Sequence, residues 1–187
     1  MSSELQKILG IEFKRPELLQ AALTHKSFYF ESKERKEDKH FTHNEKLEFL
    51  GDAVLDLVLS EYLMELFPDD NEGELSKKRA SLVNEAVLAR VAKDMCVAKF
   101  LSLGKGELMS GGEKKPRLLA SAFEAIVGAF FIDQGYTGAR QLIRSLFALV
   151  ISEMKASDDF QTDYKTKLQE VIQSEKRASP TYKVIQE

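Results

Sequence analysis

Cysteine, tryptophan and proline are scarce in this chain: one Cys, no Trp and 4 Pro in 187 residues. The lone thiol, Cys96, cannot close an internal disulfide, and the want of a disulfide framework suits a reducing, cytoplasmic compartment. With few prolines and abundant Leu, Ala, Glu and Lys, the composition favours a mostly helical protein. Long apolar runs are missing too. The longest, 118–132, is shorter than the roughly 20 residues of a membrane span, and it contains Glu124. The opening MSSELQKILGIEFKRPELL has no apolar core of signal-peptide length. No targeting segment and no membrane partner are expected. An excess of positive charge is also lacking. The formal net charge is −3, which taken alone argues against a nucleic-acid partner. Local basic clusters point the other way: Lys77–Lys78–Arg79, Lys114–Lys115–Pro116–Arg117, and Lys165, Lys167, Lys176, Arg177 and Lys183 in the tail.

What is present is a globular composition, 43% hydrophobic and 30% charged, long enough for one good core plus a piece of another domain. Short helices are expected over 4–9 and 16–23, and a charged loop over 31–43. A long helix follows from 44 to 67, started by a Thr42–Glu45 capping box or by Asn44 and stopped by Pro68. Residues 74–93 read as one helix, or two joined near Asn84, and 97–103 as a short helix. The Gly- and Lys-rich stretch 104–115 reads as a loop. Pro116 opens a helix that ends near Gly135. A further amphipathic helix covers 138–155, with Leu142, Leu146, Leu149 and Val150 inward. Composition then shifts. This gives a first domain over 1–155, a small polar linker over 156–161 beginning Ala156–Ser157–Asp158–Asp159, and the start of a second domain over 162–187. That piece holds a helix at 163–174 and a strand-like alternation at 181–186, too little to bury a core.

The chemistry is carried by acids. Glu48 and Asp52 stand four apart, so they share one helix face about 6 Å apart. Glu45 lies a turn earlier, where capping explains it equally well. No Lys or Arg occurs from 47 to 59, whereas a solvated acidic stripe usually mixes signs. Glu124 is flanked by Ala122, Phe123, Ala125, Ile126 and Val127, with Ser121 a turn before it. Buried carboxylates are costly unless a cation or strong hydrogen bonds compensate them. With no His or Cys close in sequence, a hard divalent ion held by oxygen fits: Mg²⁺ takes about six oxygens, usually one or two carboxylates plus waters and phosphate oxygens. If the two helices pack together, Glu48, Asp52 and Glu124 supply such a site for hydrolysis of a phosphate ester. The plain alternatives are an exposed acidic stripe and a lone Glu bonded to backbone or Tyr.

The stretch HNEKLEFLGDAVLDLV, residues 43–58, resembles the signature of the ribonuclease III family. ALTHKS (22–27), EGELSKKRASLVN (72–84), LGKGE (103–107), FEAIVGAFFID (123–133) and DYKTKLQE (163–170) agree in order. The resemblance implies an all-α endonuclease domain followed by the truncated start of an α/β double-stranded-RNA-binding domain. It implies a homodimer that cuts double-stranded RNA with Mg²⁺, or Mn²⁺ in its place, leaving 5′-phosphates and short 3′ overhangs, in rRNA and mRNA processing. Carried over by motif, Glu48, Asp52 and Glu124 are metal ligands, and Asp52 and Glu124 are catalytic. Glu45 and Glu72 lie near the scissile strand, and Gln169 and Glu170 reach minor-groove 2′-hydroxyls. Two departures stand out. Ser121 occupies the place of a usual Asp ligand, and the family's RNA-binding domain continues well past residue 187. Ser121 motivates the rival expectation, a non-catalytic double-stranded-RNA-binding protein on the same scaffold.

Other classes fit poorly. A di-metal carboxylate bundle needs a Glu-x-x-His motif on each of two helices. The single instance, Glu37 to His40, is in a charged loop. The glycines from 104 to 112 lack phosphate-loop order. His25 is expected to bond within the helix packing and Cys96 to lie in the core. The long helix is apolar nearly all round (Leu50, Val54, Leu57, Val58, Met64), and Phe28, Tyr29 and Phe30 cluster nearby. Together they suggest burial on several sides, against a larger core or a second subunit.

Overall fold

A computed structural model describes the backbone of residues 2–32 and 43–176 and the side chains of residues 4–32 and 43–156. Among the described residues the chain forms eight α-helices: α1 (Ser2–Leu9), α2 (Pro16–Ala22), α3 (Lys26–Glu31), α4 (Glu45–Leu66), α5 (Glu72–Leu82), α6 (Glu85–Asp94), α7 (Lys105–Met109) and α8 (Pro116–Lys176). Two 3-10 turns, Val97–Phe100 and Gly112–Lys114, join them. The sole bridge outside helices among these residues is a parallel pairing of Thr24 with Ser102. The all-α expectation holds for this part. The chain divides into two units, Met1–Phe147 and Ala148–Glu187.

In the first unit α4 buries Leu47, Gly51, Val54, Leu55, Val58, Leu59 and Leu63. These positions fall three or four apart and make one stripe. Phe49, Leu57 and Met64 point away from it and are exposed. The helix that reads as apolar all round therefore has one apolar face in the core and another on the surface. Asn84 splits the 74–93 stretch into α5 and α6. Its backbone is extended, and its side chain accepts from the Val87 N–H at 3.0 Å as an N-cap.

The 104–115 stretch is not a plain loop: it contains α7 and a 3-10 turn. The Lys105 N–H donates to the Glu31 carboxylate at 2.7 Å, and the Gly104 N–H to the Ser27 hydroxyl at 2.9 Å. Those acceptors stand more than seventy residues away, so local sequence carries no sign of them.

α8 starts at Pro116, whose missing N–H costs nothing in a first turn. Gly135, at φ 71° and ψ −173°, kinks it, a conformation that suits glycine alone. Before the kink Ala122, Phe123, Ile126 and Val127 are fully buried; after it Ala139, Ile143 and Phe147 are. Leu142 is inward as expected, and the register departs from the expected set at Leu149. Leu149 lies two residues, about 200° of helix, beyond Phe147 and is 78% exposed. Residues 156–161, expected as a linker, are helical; Ala156–Ser157–Asp158–Asp159 contains no Gly or Pro to stop a helix. The strand-like 181–186, Thr42 of the capping box and most of the 31–43 loop lie outside the described residues. The 116–156 part of α8 is long and apolar enough to cross a membrane, with a window of mean hydropathy 1.4, but 56% of that window is buried inside the protein.

Asp133, just before the kink, ties α8 to the start of α2. Its fully buried carboxylate accepts from the Lys14 N–H at 2.8 Å and the Arg15 N–H at 2.9 Å. Hydrogen bonds to a charged acceptor contribute about 1.5–3 kcal/mol. Asp133→Ala is expected to lower unfolding free energy by about 2 kcal/mol, read as a shift of the urea midpoint with unchanged slope.

Candidate active site

The site lies where α4 crosses α8. A Cβ built on Gly51 would overlap the Glu124 carbonyl, and one on Gly128 the Leu47 carbonyl. Two glycines facing each other let the backbones touch, and that closeness sets Glu48, Asp52, Ser121 and Glu124 around one crossing. The Ser121 hydroxyl donates to Glu48 Oε1 at 2.8 Å. Glu48 and Glu124 are half-buried and Asp52 is exposed. Glu124 is pushed up to about 7, first by burial and then by the charges of Glu48 and Asp52. No cation is among the groups that act on it. The alternative of a Glu satisfied by backbone or Tyr does not describe it, since its carboxyl makes no hydrogen bond or ion pair among the described residues.

The premise that these acids are deeply buried needs correction. They sit at the rim of the crossing, because the stripe that α4 buries runs through Leu47, Gly51 and Val54 and leaves Glu48 and Asp52 on its flank. Among the described residues, no three His, Cys, Asp or Glu side chains stand close enough to form a ready metal cage. The donors that do meet are all oxygens, with one uncompensated carboxyl among them. That suits a hard ion that keeps several waters and takes oxygens from its substrate.

Beside the acids opens a cleft of about 350 Å³ lined by His25, Lys26, Asn44, Glu45, Glu48, Glu107, Lys115, Arg117, Leu118 and Ser121. Glu45 is at its mouth, bonded to Lys26 Nζ at 2.8 Å, and that bond holds its carboxyl below the usual range. His25 caps α3: its Nδ1 faces the Ser27 hydroxyl at 2.8 Å and accepts from the Ser27 N–H. It therefore bonds within the packing, as expected. Lys115 Nζ reaches Glu107 at 2.6 Å. Glu72 is elsewhere. It is exposed on the first turn of α5, accepts from the Ser76 hydroxyl at 2.9 Å, and lines a different cleft with Ser60, Met64, Leu75 and Arg79. The structure does not bring it to these acids. Gln169 and Glu170 have helical backbone, and their side chains lie outside the described residues. Cys96, expected in the core, is only half-buried, at φ 56°. Sequence reasoning passed over Asn44 and Arg117 as cleft residues; for Arg117 the Lys–Lys–Pro–Arg cluster was the available signal.

Residues 15–150 match the family model described as ribonuclease-III-like. The chain belongs to the ribonuclease III family. It is 52% identical over 183 residues to ribonuclease 3 of Bdellovibrio bacteriovorus, covering 98% of this chain and 76% of that protein. To ribonuclease 3 of Desulforamulus reducens it is 41% identical, covering 100% and 74%. The solved nuclease domain of ribonuclease III from Campylobacter jejuni superposes with a TM-score of 0.68 at 44% identity, covering 78% of this chain and 97% of that one. That structure is noted for flexibility in a region involved in dimer formation. This ribonuclease III is a hydrolase, an endoribonuclease of double-stranded RNA, and nothing in its relatives favours the non-catalytic alternative.

Proposed function

We propose that Glu48, Asp52 and Glu124 hold Mg²⁺, or Mn²⁺ in its place, at the α4–α8 crossing, and that Asp52 and Glu124 act on the scissile phosphate. A divalent ion there supplies charge neutralisation on the phosphate and a more acidic water. The observation that carries the reading is Glu124: half-buried, beside two further acids, with nothing cationic among the described residues to balance it. Ser121, through its bond to Glu48, orients that carboxylate. As a neutral hydroxyl it is a weaker partner for the ion than a carboxylate. Glu45, held by Lys26 at the cleft mouth, and Glu72, exposed on α5, face RNA rather than the ion. Residues 162–187 begin an RNA-binding domain in which Gln169 and Glu170 meet minor-groove 2′-hydroxyls. The products are short duplexes with 5′-phosphates and 3′ overhangs, and the setting is processing of rRNA and mRNA in the cytoplasm.

The test is incubation of purified protein with a long RNA duplex and a magnesium series. Cleavage to such ends supports the reading; binding without cleavage at any magnesium level overturns it. Ser121→Asp is expected to lower the magnesium needed for half-maximal rate several-fold, because it restores a charged oxygen beside Glu48. An unchanged requirement would show that position 121 does not bear on the ion.

A homodimer is the assembly this reading requires for two cuts. Phe49, Leu57 and Met64 expose one stripe of α4, with Phe49 81% exposed. Burying a large apolar side chain contributes about 1.5–3 kcal/mol, and a two-fold interface counts each contact twice. Phe49→Asp is therefore expected to weaken self-association at least 100-fold by analytical ultracentrifugation, with helicity retained.

A further inference from the structure

His43 carries a polar atom that the site described so far does not use. The residue leads into α4, two positions before Glu45. Its ring packs against α3, with the Tyr29 ring at 5.7 Å and the Phe30 ring at 6.1 Å between centroids. Nδ1 is buried and has no hydrogen-bond partner among the described residues. A buried nitrogen in that state calls for an explanation in its surroundings. The acid that stands within ion-pair reach is Glu45, whose Oε2 lies 3.8 Å away. The other oxygen of the same carboxylate, Oε1, accepts from Lys26 Nζ at 2.8 Å. One carboxylate is therefore faced from two sides, by a lysine of α3 and by an imidazole that rests on α3.

This placement decides which ring nitrogen carries the proton. A bare Nδ1 would turn its lone pair toward a carboxylate and be repelled, whereas an Nδ1–H is attracted to it. His25 is the contrast. Its Nδ1 accepts from the Ser27 N–H, which leaves its proton on Nε2. Lys26 is half-exposed on a flexible stem and is a point charge. Alone it draws one oxygen and leaves the carboxylate free to turn. A second donor at Oε2 fixes the plane. We propose that His43 is a positioning residue for cleavage. Wedged against Tyr29 and Phe30, its Nδ1–H sets the Glu45 carboxylate at the cleft mouth, toward the RNA. The distance in the free protein is longer than a hydrogen bond, and such contacts commonly tighten once substrate is bound. The inference rests on the reading of Glu45 as a residue that faces RNA.

The test separates the donor from the ring. Asn in place of His43 keeps an N–H where Nδ1 stands and loses the ring; Phe keeps the ring and loses the donor. Single-turnover cleavage of a short RNA duplex is measured for wild type, His43→Ala, His43→Asn and His43→Phe, with circular dichroism confirming each fold. His43→Ala and His43→Phe are expected to cut about fivefold more slowly, the scale of a partly exposed charged contact, and His43→Asn to recover most of the rate. In a Glu45→Gln background His43→Ala should cost nothing further, because the two residues act as one unit. A second readout does not depend on cleavage. Nitrogen NMR of the isotopically labelled histidines, at about pH 8 so that tautomers of the neutral ring are read, should show His43 protonated on Nδ1 and His25 on Nε2. In Glu45→Gln the His43 proton should move to Nε2. Losses that multiply in the double variant, a His43→Phe enzyme faster than His43→Asn, or an Nε2–H tautomer of His43 in wild type would each overturn the proposal. Failure of wild type to cut the duplex would refute the hydrolytic reading instead, and the tautomer would still decide whether His43 holds Glu45.

Discussion

Glu124→Gln is expected to keep the fold and lose duplex-RNA cleavage by at least about 10³-fold, on the scale seen when one preorganised electrostatic group is removed from a reacting centre. Gln is nearly isosteric, so the α4–α8 contact stays. What goes is the charge that the site needs once an ion is present and that the apo protein tolerates poorly. The second half of that statement has its own readout. Glu124 titrates at about 7 in the folded protein against 4.5 as an ordinary carboxyl. Between those values the unfolded chain binds fewer protons than the native one, so unfolding free energy falls as pH rises, and it levels off above about pH 7. In ion-free buffer the wild-type melting temperature is therefore expected to fall from pH 4.5 to 7. Glu124→Gln should lack that component and be the more stable of the two at pH 7.5. Adding Mg²⁺ at pH 7.5 should raise the wild-type melting temperature and leave the variant's unchanged. An active Glu124→Gln enzyme would remove this residue from the reaction.

Gly51→Ala should do the most damage of any single-methyl change. By helix propensity alone, alanine in an α4 interior position is favoured by about 1 kcal/mol. Against that gain stands a new carbon overlapping the Glu124 backbone carbonyl, which is part of a helix and cannot swing aside. Loss of about 4 kcal/mol or more belongs to clashes of this kind. The sign is set by the clash, and the site suffers with the fold, since the displaced strut is the one that carries Glu124. The expected outcome is insoluble or molten protein, or a folded variant without cleavage. Gly135→Ala offers a contrast: no atom stands near its Cβ, and the cost is confined to the positive φ. Gly51→Ala folding with wild-type stability and activity would mean that the two helices are not in backbone contact.

Sequence already disclosed the elements whose signals are local. The α4 stripe, the Pro68 stop, Asn84 and the Pro116 start are each written within a few residues. Glu124 is conspicuous because everything around it is apolar, and its grouping with Glu48 and Asp52 needs only the condition that the two helices pack together, with which the family signature agrees. What sequence could not disclose depends on partners far along the chain. α7 exists because Glu31 and Ser27 cap it. Gly51 and Gly128 become legible as a pair only when the helices cross. The rim position of the acids and Leu149 on the outside follow from register and packing that local pattern does not encode. Glu72, which the family motif places near the scissile strand, lies on the first turn of α5 beside Ser76.

The most direct measurement is Mn²⁺ uptake at pH 7.5, followed by the loss of the free-ion electron paramagnetic resonance signal, on wild type and Glu124→Gln side by side. Wild-type protein is predicted to take up the ion and release protons as it does so, while the variant binds at least tenfold more weakly and releases none. Equal uptake by both would show that the charge at the helix crossing is not what binds the ion, and the account would fail there.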